Sequence, residues 1–247
     1  MARYLILKLE GVLQAWGGHT FEDVRPSELI PTRSGLCGLL AACCGIQRTQ
    51  RNELQALAES ILLSVRMDTR PLKMIDYHTV KNARDGYSGL KSHDTIQSWR
   101  EYLQDAKFTV AITNTTHASI SLDQLKQAIQ KPIYTPYLGR RSCSITQPLY
   151  FADVEASHAL MAFSEADKIQ AKRDAWCLSC KGCLVERRVR ARLDSKLKSG
   201  TIYTEETHTE FNNKPKQQLR DVPISTRKRQ FATRTVTILT GDTHAPE

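Results

Sequence analysis

The chain has 247 residues, 40% of them hydrophobic, enough for one large folded domain or two small ones and too much for a disordered or collagen-like chain. No apolar run approaches the roughly 18 residues that cross a bilayer, and the opening Met1-Ala2-Arg3 meets charge too early for a signal peptide. Thirty-five Lys and Arg against 26 Asp and Glu leave a net charge of +9, which directs attention to a polyanionic partner, nucleic acid first.

In chain order, Leu5, Leu7 and Leu9 alternate with Tyr4, Ile6 and Lys8, the period of a strand, and Gly11 closes the run. A turn-rich loop over residues 17–31 leads to a helix with Ser34 as its N-cap. Leu36, Leu39, Leu40 and Cys43 lie on one face of that helix, and Gly45 is its stop. Leu54, Leu57, Ala58, Ile61 and Leu62 recur at helical spacing from about Asn52, and a strand is expected over residues 63–67. Residues 72–91 scatter Tyr, His, Gly, Lys and Arg with no apolar period, too long for a plain loop, so an arm or thumb is expected there. Asp94 with Gln97 predicts a capped short helix that turns Ile96, Trp99 and Leu103 inward, followed by a strand around Phe108, Val110 and Ile112. Ser121 with Gln124 caps a further helix, and a strand follows over residues 145–151. This succession of elements fits an α+β, ferredoxin-like βαββαβ palm over residues 1–151, with a smaller C-terminal region over 152–247. In that region a helical stretch over about 157–198 precedes strand candidates at 201–203 and 235–239.

Three places carry candidate chemistry. At Pro31-Thr32-Arg33-Ser34-Gly35, free N–H groups at a helix mouth and a forked Arg33 invite a phosphate; the alternative is a capped helix whose Arg33 pairs with an acid such as Asp23 or Glu28. In Tyr137-Leu138-Gly139-Arg140-Arg141, Gly139 allows close backbone approach to a ligand, Arg140 and Arg141 grip phosphates and Tyr137 stacks on a base. On the arm, Tyr77, His78, Arg84, Tyr87, Lys91 and His93 interleave aromatic and basic groups in a manner suited to single-stranded RNA. Trp99 reads as a core anchor, and Arg100 beside it as free for a partner.

His78, Tyr77 and Lys81 are the only candidates for metal-independent RNA cleavage, with nothing in the sequence to fix their geometry. Cys177, Cys180 and Cys183 have metal-like spacing but lack a clear fourth ligand unless His158 or His208 supplies it, so no metal or cofactor is expected. The seven cysteines, odd in number, read as reduced thiols of a cytoplasmic protein.

Together these motifs resemble a known family. Tyr4-Leu5-Ile6-Leu7 followed by Gly11-Val12-Leu13-Gln14-Ala15-Trp16-Gly17 is similar to the opening of the CRISPR-associated Cas-five superfamily. Pro31-Thr32-Arg33-Ser34-Gly35-Leu36, Asp76-Tyr77-His78-Thr79-Val80, Ile96-Gln97-Ser98-Trp99-Arg100 and Tyr134-Thr135-Pro136-Tyr137-Leu138-Gly139-Arg140-Arg141 point to its type I-E branch. The resemblance implies a non-catalytic subunit of Cascade, with an RRM/RAMP-type palm and a projecting β thumb at about residues 72–98. It implies that the protein caps the 5′ handle of the crRNA and packs against the backbone subunit CasC and the large subunit CasA. Carried over, the RNA-binding residues are Arg25, Arg33, Ser34, Lys91, Arg100, Tyr137, Gly139, Arg140 and Arg141. The alternative is an endoribonuclease that processes repeat RNA.

Against the family pattern, residues of about 164–200 look like an insertion. Residues 168–200 hold ten Lys and Arg against three acids, so +7 of the net charge lies there and +2 in the rest of the chain. Val185, Val189, Leu193 and Leu197 predict a basic amphipathic helix in it, with target DNA one of its candidate partners and a solvated face the alternative.

Overall fold

The computed structural model describes residues 1–18, 23–81, 95–178, 200–225 and 230–240. Its elements run β1 (Ala2–Glu10), β2 (Leu13–Gln14), β3 (Trp16–Gly17), β4 (Val24–Arg25), β5 (Ser27–Glu28), α1 (Arg33–Cys44), α2 (Arg51–Ser60), β6 (Ile61–Thr69), β7 (Leu72–Lys81), β8 (Thr95–Gln104) and β9 (Lys107–Asn114). They continue with α3 (Leu122–Gln130), β10 (Tyr150–Ala156), α4 (Ala159–Leu178), β11 (Thr201–Thr204), a 3-10 turn at Thr209–Phe211, β12 (Lys216–Ser225) and β13 (Gln230–Thr240). This is a mixed α/β fold built on antiparallel sheets.

The main sheet has seven strands in the order β10-β1-β9-β6-β11-β13-β12, every neighbour antiparallel. Side chains alternate across a strand, so β1 feeds two cores at once. Leu5, Leu7 and Leu9 pack with α1, α2 and α3 on one face, while Tyr4 and Ile6 meet Ala162, Phe163 and Ala166 of α4 on the other. The C-terminal strands β11, β13 and β12 continue the same sheet beyond β6.

Between β6 and β9 the chain leaves the main sheet as a long ribbon. β7 and β8 pair over ten positions, from Leu72↔Gln104 to Lys81↔Thr95. Much of the ribbon is solvent-exposed on both faces, so β7 has no inward face to impose an apolar period. The helix expected over residues 94–103 is instead strand β8. Asp94 lies outside the described residues, and cross-strand pairing of Thr95, Ile96, Trp99 and Tyr102 overrides the local capping cue.

Other boundaries moved for identifiable reasons. Thr32, not Ser34, is the N-cap of α1: its hydroxyl accepts from the Gly35 N–H at 3.3 Å. Residues 145–149 form a loop that delivers the chain to β10, which starts at Tyr150. The Ser121 capping box is present with both of its hydrogen bonds. β12 had no counterpart in the sequence reading, because its Lys, Gln, Arg and Asp conceal the strand period. The predicted basic helix lies outside the described residues beyond Leu178, as do Cys180 and Cys183. Among the described residues no helix is long and apolar enough to cross a membrane.

Candidate nucleic-acid interface

Trp16, fully buried, organises the approach to the site. Its Nε1 donates to Gln14 Oε1 at 3.0 Å, and Gln14 Nε2 donates to the carbonyls of Ala106 (2.7 Å) and Leu9 (3.2 Å). Each polar atom taken into the core in this chain of bonds has a partner, which is the condition for burying it without a large penalty. A Cβ at Gly35 would stand 2.9 Å from the Trp16 ring, so glycine lets the indole lie against the first turn of α1.

The helix mouth is closed from inside the protein. Asp221 of β12 accepts from the Arg33 N–H at 2.7 Å, so a carboxylate occupies the place where a phosphate would sit. The Arg33 guanidinium is turned inward. It pairs with Glu205 and donates to the carbonyls of Ala58 (2.7 Å) and Ile61 (3.1 Å). Glu205 also accepts from Arg234 at 2.7 Å, and Arg234 binds both oxygens of Asp221 at 2.6 and 2.8 Å. Two arginines and two carboxylates thus neutralise each other, all with little side-chain exposure. The acid that pairs with Arg33 is Glu205, not Asp23 or Glu28. Ser34 Oγ reaches only Thr32 Oγ1, at 3.5 Å. Arg33 and Ser34 are parts of the framework here, since the donors assigned to phosphate are spent on the protein.

A different arrangement holds where the ribbon joins the body. β4 pairs in parallel with β8, which sets Arg25 beside Arg100 and Val24 beside Trp99. Arg140 reaches this junction from the loop that follows Tyr137. Its Nη1 donates to the Glu101 carbonyl at 2.8 Å, its Nη2 to the Arg25 carbonyl at 2.9 Å, and the guanidinium lies 4.5 Å from the Tyr102 ring centroid. Arg140 is therefore the brace that holds loop, β4 and β8 together. Gly139 serves the same joint. Its φ is 91°, and a Cβ there would fall 1.7 Å from the Ala15 carbonyl oxygen, so the close approach that demands glycine is to Ala15.

What this framework leaves open is cationic and aromatic. Among the described residues Arg25 has no ion pair or hydrogen bond from its guanidinium, and Arg100 spends only its Nε, on Ser98 Oγ at 3.3 Å. Arg141 is exposed, as is Tyr137 in the same loop. Glu101 lies at the junction, but Lys73 Nζ (2.9 Å) and the Ser27 N–H (3.1 Å) engage it. The hydrogen bond from Lys73 is the largest influence holding its carboxyl below the usual range. Lys91 lies outside the described residues, as do Arg84, Tyr87 and His93.

Tyr77, already singled out on the arm, has Trp99 as its aromatic partner, a pairing that sequence reasoning missed. They face each other across β7 and β8 with centroids 5.5 Å apart, and are 51% and 40% exposed. Trp99 is a surface platform where a core anchor was expected, because the residue sits on a strand and not on the inner face of a helix. The alternation of aromatic and basic residues around Trp99-Arg100 was the available signal. His78 lies on the opposite face of β7 from Tyr77, with its Nε2 2.6 Å from Asp76 Oδ2. The trio considered for RNA cleavage is accordingly divided between two faces.

His158 and His208, considered as zinc ligands, stack on each other with centroids 4.9 Å apart, and His158 Nε2 lies 3.2 Å from Glu210. Among the described residues no group of three His, Cys, Asp or Glu is arranged to hold a metal. Burial pushes the Cys37 thiol up to about 11 and Cys43 up to about 12, which keeps both protonated and unreactive.

The body is a mixed α/β fold that carries a two-stranded arm, with arginines and exposed aromatics where the arm is rooted. The fold is shared with two solved structures. One is described as a CRISPR RNA-guided surveillance complex, with a TM-score of 0.61 and 22% identity, covering 96% of this chain and 89% of the other. The second is described as the crystal structure of a Cas protein, with a TM-score of 0.57 and 24% identity, covering 96% and 93%. The family model for CRISPR-associated protein (Cas_Cas5) matches residues 4–237, and the chain belongs to that family. It is 43% identical over 249 residues, 98% of this chain and 97% of the relative, to the CRISPR system Cascade subunit CasD of Escherichia coli (strain K12).

Proposed function

We propose that this protein is a non-catalytic, crRNA-binding subunit of a Cascade-type surveillance complex. In this reading it holds the 5′ handle of the crRNA at the root of the thumb. The observation that carries the reading is the juxtaposition of Arg25 and Arg100 across the β4–β8 ladder, their Nη groups without partners among the described residues, near the loop of the exposed Tyr137 and Arg141. Arg25, Arg100 and Arg141 take phosphates, Tyr137 stacks on an unpaired base, the Tyr77–Trp99 pair offers a second stacking platform on the face of β8 opposite Arg100, and Arg140 with Gly139 keeps the corner rigid. The division of Tyr77 and His78 between opposite faces favours the non-catalytic reading over repeat cleavage. CasC and CasA are the partner subunits proposed from the resemblance. The strand order β10-β1-β9-β6, with helices after β1 and β9, supports a ferredoxin-like palm from which the β7–β8 ribbon projects.

The test is assembly on crRNA. Arg100→Ala combined with Arg141→Ala is expected to weaken retention of the crRNA by roughly tenfold and to reduce the salt slope of binding by about 0.7 for each phosphate no longer neutralised. Retention and slope equal to those of the unmodified protein would overturn the assignment.

A further inference from the structure

Among the described residues, the main sheet is unevenly covered on its α4 side. α4 packs on β10, β1 and β9, and the α4-side core reaches β11 and β13 only at Ile202 and Leu239, with Phe211. Thr237, Thr235 and Thr233 share the face of Leu239 along β13, and the register sets them opposite Lys216, Gln218 and Arg220 of β12. Lys216, Gln218, Arg220, Thr233 and Thr235 are all exposed. Arg220 donates its Nε to the Phe231 carbonyl at 3.1 Å, which holds the guanidinium against the β12–β13 pair, with no partner for either Nη among the described residues. Lys216 has no partner among the described residues.

Neither strand presents a carboxylate on this face among the described residues. Asp221 is the only acid of β12, and it points to the other side, where Arg234 and the mouth of α1 hold it; β13 has none. The result is a flat grid of donors. Two cations four residues apart on a strand stand about 13 Å apart, with an amide between them and hydroxyls on the adjacent strand about 4.8 Å away.

We propose that this face of β12 and β13 binds the phosphate backbone of double-stranded DNA, as a second nucleic-acid surface separate from the thumb root. Unneutralised positive charge and an absence of large aliphatic side chains fit a polyanion and not an apolar protein surface. Single strands are gripped through stacking platforms, and three exposed aromatics mark the thumb root. Among the described residues the aromatic of β12 and β13 on this face is Phe231, half-buried at its end, so the face suits a duplex whose bases are already stacked inside. The thumb root belongs to the core shared with α1, through Tyr102, Leu103 and Leu138, whereas the grid faces the α4 side. One nucleic acid held at the root leaves the grid for another. The choice of DNA rests on the reading of the chain as part of an RNA-guided complex.

The experiment uses the assembled, crRNA-loaded complex and a labelled DNA duplex without target sequence, with binding followed by anisotropy over a range of salt. Lys216→Ala combined with Arg220→Ala is expected to lower duplex affinity by roughly tenfold at physiological salt and the salt slope by about 1 per cation removed, with crRNA content unchanged. Lys216→Arg combined with Arg220→Lys, which keeps both charges, is expected to restore most of the slope. Unchanged duplex affinity overturns the proposal. Loss of crRNA content in the alanine variant also overturns it, by assigning the grid to the guide. A duplex RNA of the same sequence bound equally well, with the same response to the variants, overturns the choice of DNA. Arg100→Ala with Arg141→Ala separates the two readings: unchanged crRNA retention there defeats the thumb-root assignment, whatever the grid does.

Discussion

The mouth of α1 and the root of the thumb offer the same ingredients in sequence, an arginine beside a glycine and a hydroxyl or an aromatic, yet the fold treats them in opposite ways. At the helix mouth, Glu205 and Asp221 arrive from more than 170 residues downstream and consume Arg33. At the thumb root, the nearby acid Glu101 is taken up by Lys73 and Ser27, and Arg25, Arg100 and Arg141 keep donors without partners among the described residues. An arginine's role is set by which carboxylates the topology brings to it, because a guanidinium already paired in a site of low exposure has little left to offer a phosphate.

The comparison breaks most visibly at Arg33. Arg33→Ala leaves Glu205 with less compensation and strips the Ala58 and Ile61 carbonyls of a donor, so a loss of about 3–5 kcal/mol in denaturant unfolding is expected. Retention of crRNA by the protein that remains folded should be unchanged. A stable variant that has lost RNA would reverse the two roles. Gly139→Ala is next. The methyl group meets the Ala15 carbonyl and φ is 91°, so about 2–3 kcal/mol of stability should go, with RNA binding falling as the corner loosens.

Much of the body was legible before any tertiary contact was known. β1, β9, the Ser121 capping box and Gly45 as the stop of α1 follow from local periodicity and backbone chemistry. The ribbon was not legible as a ribbon: with both faces largely open to solvent, no hydrophobic alternation marks it, and Asp94 with Gln97 imitates a helix start. Arg100, Tyr137 and Arg141 were singled out from residue type and position, and the fold places Tyr137 and Arg141 at the surface, whereas Trp99 was assigned to the core because its secondary structure was misjudged. Arg140 and Gly139 were found too, but for the wrong contact, since their partners at Arg25, Glu101 and Ala15 are remote in sequence.

Trp99→Ala sharpens the comparison from the other side. The ring is partly exposed, so stability should change little, while RNA binding weakens by about 1–2 kcal/mol if a base stacks there. Equal RNA affinity with and without the indole would remove Trp99 from the interface. The smallest effect is expected at Glu101. Its folded-state carboxyl titrates below the ordinary Glu value of about 4.3, so its contribution is complete above that value and is lost as pH falls through the folded one. Unfolding measured from roughly pH 5 to pH 3 should show a decline that Glu101→Gln flattens.

Composition and local pattern alone determined the family-bearing motifs, the class of partner, the strands β1 and β9 and the concentration of +7 within residues 168–200. They are legible because they depend on residues close together in the chain. Tertiary structure decided which arginines are available, that Trp99 faces solvent, and that β12 and β13 present cations on one face and bury Asp221 on the other. These outcomes depend on pairings between distant segments, and whether a charge is neutralised or open is a property of its neighbours in space.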